Sequence, residues 1–564
     1  MDEKLKELAF KYAVKNAIEH QGKADLKAVI GKLIAIDKEL GKNLGKNIKE
    51  ITETIEEVNS LNKKELEEKL KSLGDFNELP EREKKEEMKL DWAAKKKVIT
   101  RYAPNPNGPF HLGNARALLN SFEYAKKYNG KFILRFDDTD PKVKKPIENA
   151  EQIFKKDLNW LGVKVDETYF ASDRMELYYN YMKKTIEKGK AYVCECKKEL
   201  WKELIDEKKA CPCREKKPKE QLKEFEKMLS NELKEGQAVL RIKTDLESKD
   251  PSLRDWWAAK IVDEPNHPRV KDKYHVWPSY NFASAIDDHE MGVTLIIRGQ
   301  EHAQNAEKQK FLYDYFEWVY PETFHTGRIK LKEMVLSTSK IKEGIEKGEF
   351  IGWDDPRLGT IQALRRRGFV PQTIKEIIKE IGVKSSDVTI DFSKMIDLNK
   401  GFIDQKADRY YFIDDVIKLD VNFVPAMQVE KPVHPDFPHE TRTYRLKEGS
   451  QSFLISRKNL DKIEEGKIVR LKHALNFRVI KKDEMQIFGE FVGTQKLENK
   501  PLIQWILNET TCEIMMPNAV KKHGIIEKEI LSEKENNFVQ LENFGYAKID
   551  ELEEKKVVLW FTHK

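Results

Sequence analysis

The sequence predicts a multidomain protein of the α/β class, with a helical region before a βαβ domain and a β-rich region at the C-terminal end. Three observations predict this class. The chain has 564 residues, which is more than one hydrophobic core usually organises. A strand–loop–helix–strand pattern begins at Val98, and beyond Tyr410 the apolar residues recur at every second position, as they do in β-strands.

Residues 1–92 form the predicted N-terminal helical domain. Apolar residues recur there at helical spacing, as at Leu8 and Tyr12. Residues 79–88 follow this pattern with almost only charged side chains after a proline, which is typical of a linker or an exposed helix. We therefore expect a domain boundary near residue 90.

The βαβ pattern comprises a strand at 98–102, a Pro/Asn/Gly-rich loop at 103–109, a helix at 115–128 and an apolar strand at 132–136. Such a loop lies at the carboxyl end of a parallel strand, where α/β sheets bind ligands. The following helix directs free N–H groups and a positive dipole at the same place. The sequence therefore predicts an anion site here, and phosphate suits it best.

The tetrapeptide from His111 to Asn114 ends this loop. Its glycine lets the backbone approach a ligand closely, and His111 and Asn114 can donate hydrogen bonds to phosphate oxygens as negative charge develops. Helix capping is the alternative interpretation of either residue.

Further along, the α/β pattern is interrupted once and then replaced by other patterns. It resumes at Gly292, becomes helical after Ile341, and gives way to period-two strands after Tyr410. The predicted divisions are 1–92 (N-terminal helical domain), 93–190 (α/β domain, first half), 191–285 (insertion), 286–340 (α/β domain, second half), 341–409 (helical connector) and 410–564 (β-barrel region).

Four of the five cysteines lie close together in the predicted insertion. Cys194, Cys196, Cys211 and Cys213 form two close pairs and could supply four thiolates to one tetrahedral zinc ion. Free thiols in a loop are the alternative. A zinc ion here would be structural, because the sequence provides no open ligand position or adjacent base. Cys512 stands alone and is predicted to lie in a core.

Composition excludes some classes of protein. Lys plus Arg number 103 and Asp plus Glu 97, a net charge of +6, which permits nucleic-acid binding without requiring it. Charged residues make up 35% of the chain, mean hydropathy is −0.68, and no run approaches the roughly 20 apolar residues of a membrane span. The acidic N-terminus does not resemble an export signal, so we expect a cytoplasmic protein without membrane contact.

Taken in order, several motifs resemble those of the class I aminoacyl-tRNA synthetases, in the glutamyl/glutaminyl branch. The tetrapeptide 111–114 resembles the HIGH signature, and 335–339 resembles the KMSKS signature. Further motifs in the order of that family are Leu134-Arg-Phe-Asp-Asp-Thr-Asp-Pro141, Tyr280 within Trp-Pro-Ser-Tyr-Asn-Phe, Trp353-Asp-Asp-Pro-Arg357 and Ala363-Leu-Arg-Arg-Arg-Gly368. The resemblance implies a Rossmann-like catalytic domain, an acceptor-end-binding insertion and a β-barrel region that binds the anticodon.

The chain departs from both signatures. Asn114 stands in place of the last histidine of HIGH, while Val335 and Thr338 stand in place of the two lysines of KMSKS. A cation near the departing pyrophosphate should stabilise the transition state. Lys340 is the nearest candidate, with an ordinary surface lysine as the alternative.

The resemblance also implies the site residues. ATP with Mg2+ would be bound by Pro104, Gly108, His111, Gly113, Asn114, Ser337, Ser339 and Lys340, of which His111, Asn114 and Lys340 would be catalytic. L-Glutamate would be bound by Arg101, Asp137, Tyr280 and Arg298. The tRNA would be contacted by Trp353, Arg357, Arg365, Arg366 and Arg367.

Arg298 carries the choice of amino acid. It aligns with a position that is small and neutral in the glutaminyl enzymes. A guanidinium group pairs bidentately with a carboxylate but leaves its charge uncompensated against an amide, a difference of roughly 2–4 kcal/mol. Arg298 therefore favours glutamate. The alternative is a structural ion pair with Asp287 or Glu301.

The predicted function is that of a glutamate–tRNA ligase that acts on tRNA(Glu), with tRNA(Gln) left open as a second acceptor, and we expect a monomer. A glutaminyl-tRNA synthetase is the nearest alternative, and Arg298 argues against it. A nucleotidylyltransferase shares the His-x-Gly-x signature but leaves about 150 C-terminal residues without a role. A catalytically silent tRNA-binding protein is a third alternative, and it would give no ATP–pyrophosphate exchange.

Overall fold

The computed structural model describes residues 3–19, 23–36, 44–72 and 88–564. The chain divides into two compact units, Met1–Lys89 and Leu90–Lys564. The charged linker predicted at 79–88 lies outside the described residues except for Met88. Among the described residues, no helix combines the length and the apolar character needed to cross a membrane.

The first unit is helical. Its helices are α1 (Glu3–Glu19), α2 (Leu26–Ile36), α3 (Leu44–Asn59) and α4 (Lys63–Ser72). Small side chains of α1, such as Ala13 and Ala17, are buried with Ile51 and Val58 of α3. Small residues let two helices approach closely. The buried side chains of these helices form a core within this unit.

A five-stranded parallel sheet is the centre of the α/β region, with the strand order β3-β2-β1-β8-β9. Its elements are β1 (Ile99–Tyr102), α5 (Leu112–Lys127), β2 (Lys131–Phe136), α6 (Ala150–Trp160), β3 (Glu167–Phe170), α7 (Met175–Glu187), α10 (Tyr280–Glu290), β8 (Leu295–Gly299), α11 (Ala303–Tyr315) and β9 (Glu322–Thr326). Because β8 lies beside β1, the sequence between β3 and β8 is an excursion from the sheet. The carboxyl ends of β1, β2 and β8 therefore meet at one edge.

That excursion contains a four-stranded antiparallel sheet in the order β4-β5-β6-β7. Its elements are β4 (Ala191–Cys194), α8 (Lys198–Asp206), α9 (Pro218–Leu229), β5 (Val239–Ile242), β6 (Trp257–Ile261) and β7 (Val276–Pro278). Strand β7 is followed directly by α10, so the insertion is joined to the central region at the edge where β1 and β8 end.

A mainly helical connector follows the sheet. Its elements are β10 (Ile329–Lys330), α12 (Thr338–Glu346), α13 (Ile361–Arg366), α14 (Pro371–Ile381), β11 (Val388–Thr389) and α15 (Phe392–Ile403). Buried Arg116 of α5 donates to the carbonyl oxygens of Gly327, Gly382 and Lys384 at 2.6, 3.1 and 2.8 Å. This side chain fixes the first helix of the α/β region against the connector.

The C-terminal region consists of β-sheets. A seven-stranded sheet has the order β12-β24-β25-β26-β22-β23-β13, a six-stranded sheet has the order β17-β14-β20-β19-β18-β21, and β15 pairs with β16. The strands are β12 (Asp408–Tyr410), β13 (Phe412–Ile413), β14 (Val416–Val424), β15 (Met427–His434), β16 (Phe437–Leu446), β17 (Gly449–Ser456), β18 (Ile468–Leu471), β19 (Asn476–Lys482), β20 (Gln486–Gly493), β21 (Leu502–Ile503), β22 (Glu509–Met515), β23 (Lys521–Glu527), β24 (Phe538–Leu541), β25 (Gly545–Glu553) and β26 (Lys556–His563). Alternate residues of these strands form two separate apolar cores, and Cys512 is buried in one of them, as predicted. The predicted multidomain α/β class with a β-rich C-terminal region is confirmed.

Candidate active site

A cavity of about 930 Å³ lies at the carboxyl ends of β1, β2 and β8. We call it the ligand cavity. The predicted site residues that line it are Arg101, Pro104, His111, Gly113, Asn114, Asp137, Tyr280, Arg298 and Ser337. Arg101, Asp137, Tyr280 and Arg298 make up what we call its amino-acid end. His111, Gly113, Asn114 and Ser337 make up its phosphate end.

At the phosphate end, His111 precedes helix α5 and its ring lies over Gly113. The His111 backbone N–H donates to Oδ1 of Asn114 at 3.3 Å, which satisfies one of the free N–H groups of the helix start. A Cβ atom at Gly113 would lie 2.9 Å from both Cε1 and Nδ1 of the imidazole, so the close approach requires glycine. Burial lowers the pKa of His111 to about 4, and the ring is therefore neutral at physiological pH.

Gly108 does not line the ligand cavity; it instead contacts the second signature. A Cβ atom there would lie 2.6 Å from Cγ2 of Thr338 and 2.9 Å from the indole of Trp353. The loop of the first signature therefore packs directly on the segment that carries the second. Thr338, which replaces a lysine of the family pattern, is a packing residue in this contact.

Ser337 reaches the ligand cavity, whereas Ser339 and Lys340 do not line it. Both of these residues are exposed on the first turn of α12. Two other cations, Lys144 and Arg328, do line the cavity and are exposed. Sequence reasoning missed both, because neither belongs to a signature motif.

At the amino-acid end, Arg101 has an internal counter-ion. Its Nε and Nη2 donate to the two carboxylate oxygens of Asp288 at 2.9 and 3.1 Å, and both side chains are buried. Burial opposes the charged form, but the Asp288 carboxylate nevertheless raises the pKa of Arg101 above its ordinary value. The charge of Arg101 is therefore balanced within the protein.

Asp137 is held by a buried network behind the cavity wall. Nη1 of Arg135 donates to Oδ1 of Asp137 at 2.9 Å, and its Nε donates to Asp287 at 2.5 Å. Asp287 also accepts hydrogen bonds from Arg174 and Tyr178. Because Arg135 is fully buried, it fixes the Asp137 carboxylate where that group lines the cavity.

Arg298 differs from Arg101 in having only neutral partners. It is buried, its Nη1 donates to Oε1 of Gln309 and its Nη2 donates to the Tyr320 hydroxyl, both at 3.0 Å. The two acids considered as its structural partners pair elsewhere: Asp287 with Arg135 and Arg174, and Glu301 with Arg328 at 3.7 Å. Within the described parts of the chain, no carboxylate balances the charge of Arg298.

Aromatic groups complete the lining. Tyr280 lies with its ring centroid 5.4 Å from that of His302, and burial together with the nearby Arg298 charge lowers the pKa of His302 to about 4. From the insertion, partly exposed Trp257 and Lys260 also face the cavity, with the ammonium nitrogen 5.6 Å from the indole centroid. The exposed tryptophan was missed because its neighbour Trp256 is buried and the sequence does not distinguish the two.

The side chains predicted to contact tRNA have partners within the chain. Arg365 pairs with Asp157 at 3.0 Å, Arg366 with Asp354 and Asp550 at 2.7 Å, and Arg357 with Asp355 at 2.6 Å. Buried Arg367 donates to the carbonyl oxygens of Pro356 and Thr562 at 3.2 and 3.1 Å. Trp353 is half-buried against Gly108. The contacts of these side chains with tRNA stay a prediction. Within the protein, the same side chains already connect separate parts of the fold.

The four clustered cysteines lie at the end of β4 and in the turn before α9. Their sulfur atoms all lie within 4.8 Å of one another. Neighbouring Sγ atoms are 3.5 Å apart for Cys194 and Cys211, 3.2 Å for Cys196 and Cys211, and 3.8 Å for Cys196 and Cys213. With a Zn–S bond of about 2.3 Å, a tetrahedral zinc site needs sulfur separations of about 3.8 Å. The cluster fits such a site.

Comparison with known proteins extends the match beyond single motifs. The profile described as "tRNA synthetases class I (E and Q), catalytic domain" matches residues 97–405, and that described as "tRNA synthetases class I (E and Q), anti-codon binding domain" matches residues 407–493. The glutamate–tRNA ligase of Thermococcus kodakarensis is 47% identical over 575 residues, which cover 100% of each chain. That of Pyrococcus abyssi is 47% identical over 573 residues and covers 99% of each. A solved glutamate tRNA ligase from Elizabethkingia meningosepticum aligns with 54% of this chain and 70% of its own, at 22% identity and a TM-score of 0.40.

Proposed function

Because this chain belongs to the class I tRNA synthetases of the glutamyl and glutaminyl family, we propose that it activates L-glutamate with ATP and transfers it to the terminal adenosine of tRNA(Glu). Membership confirms the family that the sequence motifs predicted. The observation that carries the choice of glutamate is Arg298, a buried guanidinium group that lines the ligand cavity and has only neutral partners.

A buried charge without a counter-ion is costly unless a ligand supplies one. The side-chain carboxylate of glutamate would do so, whereas the amide of glutamine would leave Arg298 unbalanced. The difference is roughly 2–4 kcal/mol, or about 30- to 1000-fold in specificity. Arg101 cannot supply this discrimination, because Asp288 already balances it.

In the first step, the α-carboxylate oxygen of glutamate attacks the α-phosphorus of ATP, the bond to the bridging oxygen breaks, and pyrophosphate leaves. ATP is the substrate, accompanied by Mg2+ as is usual in this class. The neutral imidazole of His111 and the amide of Asn114 donate to phosphate oxygens, and Asp137 and Tyr280 hold the α-amino group. Lys340 approaches the pyrophosphate and offsets its charge.

In the second step, a ribose hydroxyl of the terminal adenosine attacks the carbonyl carbon of the adenylate and AMP leaves. Trp257 and Lys260 of the insertion line the same cavity, which supports the proposal that they contact the adenosine as it enters. The reaction is accelerated mainly because the two reactants are held in position. A phosphate oxygen of the adenylate accepts the hydroxyl proton.

The decisive test is aminoacylation with labelled glutamate and, separately, labelled glutamine, with transcripts of tRNA(Glu) and tRNA(Gln). We expect charging with glutamate, and we expect Arg298→Ala to lower kcat/KM for glutamate about 100-fold or more. Arg298→Lys is the matched control, since it keeps the charge but loses the planar arrangement of donors. Its kcat/KM for glutamate should lie between the values of the wild-type protein and Arg298→Ala. Charging with glutamine in preference to glutamate would contradict the proposal.

The same assay tests the second acceptor. We propose that tRNA(Gln) is also charged with glutamate, as the resemblance to the archaeal-type enzymes implies; charging of tRNA(Glu) alone would contradict this part. We also propose a cytoplasmic monomer, which analytical ultracentrifugation and cell fractionation would test.

We further propose that Cys194, Cys196, Cys211 and Cys213 hold a structural zinc ion, which would stabilise the insertion and take no part in the reaction. We expect about one zinc per chain by elemental analysis, and Cys211→Ser should lose the metal and lower the Tm. Cys512→Ser is the matched control, because this thiol is buried away from the cluster. A protein that folds and keeps its Tm after chelation would contradict the proposal.

A further inference from the structure

The two side chains that hold Arg298 come from outside every signature motif. Gln309 lies on α11 and is fully buried, and Tyr320 lies in the segment between α11 and β9, half-buried. The Tyr320 hydroxyl accepts from Nη2 of Arg298 and donates to Oε1 of Gln309 at 3.1 Å, while the same Oε1 accepts from Nη1 of Arg298. These three groups form a closed triangle of hydrogen bonds.

This triangle fixes the guanidinium group without balancing its charge. A guanidinium group has five N–H donors, and Gln309 and Tyr320 take one each from Nη1 and Nη2. The Nε–H of Arg298 is buried and has no partner among the described groups. Three of its five N–H donors therefore have no protein partner among the described groups.

The chemistry of position 309 is informative because an amide is not the best structural choice there. The Gln309 amide nitrogen is buried and finds no hydrogen-bond partner among the described groups. A carboxylate at the same position would accept from both Arg298 and Tyr320, would leave no donor unsatisfied, and would pair with a buried cation. The unpaired amide nitrogen lowers stability, so stability alone does not explain why residue 309 is a glutamine.

Tyr320 is held in turn by aromatic packing. Its ring meets that of Tyr313 edge-on, with centroids 4.9 Å apart, and Tyr313 is buried on the same helix as Gln309. Burial raises the pKa of the Tyr320 hydroxyl, which keeps this group neutral at physiological pH. Both partners of Arg298 are thus rigidly placed and uncharged.

We propose that Gln309 and Tyr320 are specificity-determining positioning residues, which orient Arg298 with neutral acceptors so that the side-chain carboxylate of the substrate becomes its only counter-ion. The inference rests on the proposed function. It goes further by assigning the preference for glutamate over glutamine to the neutrality of two residues that need not touch the substrate.

The test is the Gln309→Glu variant, which changes one amide to a carboxylate of nearly the same shape. We expect the KM for glutamate in tRNA-dependent ATP–pyrophosphate exchange to rise at least about 30-fold, with the KM for ATP unchanged. The ratio of kcat/KM for glutamate to that for glutamine should fall by a similar factor. The Tm should stay the same or rise, because the new carboxylate pairs with Arg298.

Two neutral variants complete the experiment. Gln309→Met and Tyr320→Phe each remove one acceptor and add no charge, so the KM for glutamate should rise only about 3- to 10-fold and the preference for glutamate should persist. If Gln309→Glu does not fold, these variants carry the test, and an unchanged KM in both would overturn the proposal. It would also be overturned if Gln309→Glu kept the wild-type KM for glutamate and the wild-type ratio of kcat/KM values. The same holds if all three variants lowered kcat/KM for glutamate and for glutamine by equal factors. Failure of the wild-type protein to activate glutamate would instead refute the proposed function.

Discussion

The two ends of the ligand cavity distribute charge in different ways. At the amino-acid end Arg101 and Arg298 are buried and Asp137 is partly exposed. All three are held by other side chains: Arg101 by Asp288, Asp137 by Arg135, and Arg298 by neutral acceptors. At the phosphate end the lining groups His111 and Asn114 are neutral. Of the cations discussed above, Lys144 and Arg328 line the cavity and Lys340 does not, and all three are exposed.

This difference follows from what each end must recognise. Glutamate and glutamine differ only in a carboxylate and an amide, and a pocket separates them only with a charge whose surroundings are fixed in advance. The phosphates of ATP carry a large charge that any polar, cationic surface attracts, and the selection there is for the transition state rather than for the ground state. We therefore expect the buried guanidinium of Arg298 to serve selection, and the exposed ammonium of Lys340 to serve catalysis.

The largest effect should come from removing the support of the amino-acid end. In Asp287→Asn, the buried guanidinium of Arg135 and that of Arg174 lose their shared counter-ion. Loss of one partner of a buried ion pair costs about 3–5 kcal/mol, so the free energy of unfolding in a urea titration should fall by that amount. Asp173→Asn removes an exposed partner of Arg269 and should cost less than about 1 kcal/mol. Equal losses in the two variants would show that burial of the network contributes nothing.

An intermediate effect is expected at the phosphate end. Lys340→Ala should lower kcat for ATP–pyrophosphate exchange about 100-fold, since one group that stabilises the developing charge is lost, while the KM for glutamate stays within about twofold. Lys347 directly follows the same helix and pairs with Glu343, so Lys347→Ala should leave kcat unchanged. If Lys340→Ala were as active as Lys347→Ala, Lys340 would be a surface lysine and Arg328, which lines the cavity, would be the next cation to substitute.

The sequence was sufficient for the parts of this site that lie in local patterns. The strand–loop–helix at Val98 and the signature from His111 to Asn114 predict the phosphate end, because a helix start and its preceding loop are set by neighbouring residues. The choice of Arg298 rests on the family resemblance, which aligns it with a small neutral position of the glutaminyl enzymes, and on the chemistry of the two substrates. None of this required knowledge of distant contacts.

What the sequence could not provide is the partner of each charge. Arg101 and Asp288 are 187 residues apart along the chain, and nothing in either segment marks the pair. The run from Arg365 to Arg367 shows the same limit: as a sequence it is typical of a phosphate-binding surface, yet its three side chains reach Asp157, Asp550 and Thr562. Whether an arginine is available to a ligand is decided by long-range packing.

The smallest effect concerns pH and the neutral imidazole of the phosphate end. Burial lowers the pKa of His111 from 6.5 to about 4, so the unfolded chain binds the proton more readily than the folded one, and stability is lost as pH falls below 6.5. At pH 5.5 this loss amounts to about 1.4 kcal/mol. His111→Gln should therefore show a shallower fall of the free energy of unfolding between pH 7 and 5.5. His523 is exposed, and His523→Gln should keep the wild-type slope. A wild-type slope in His111→Gln as well would mean that burial does not lower the pKa of the His111 imidazole.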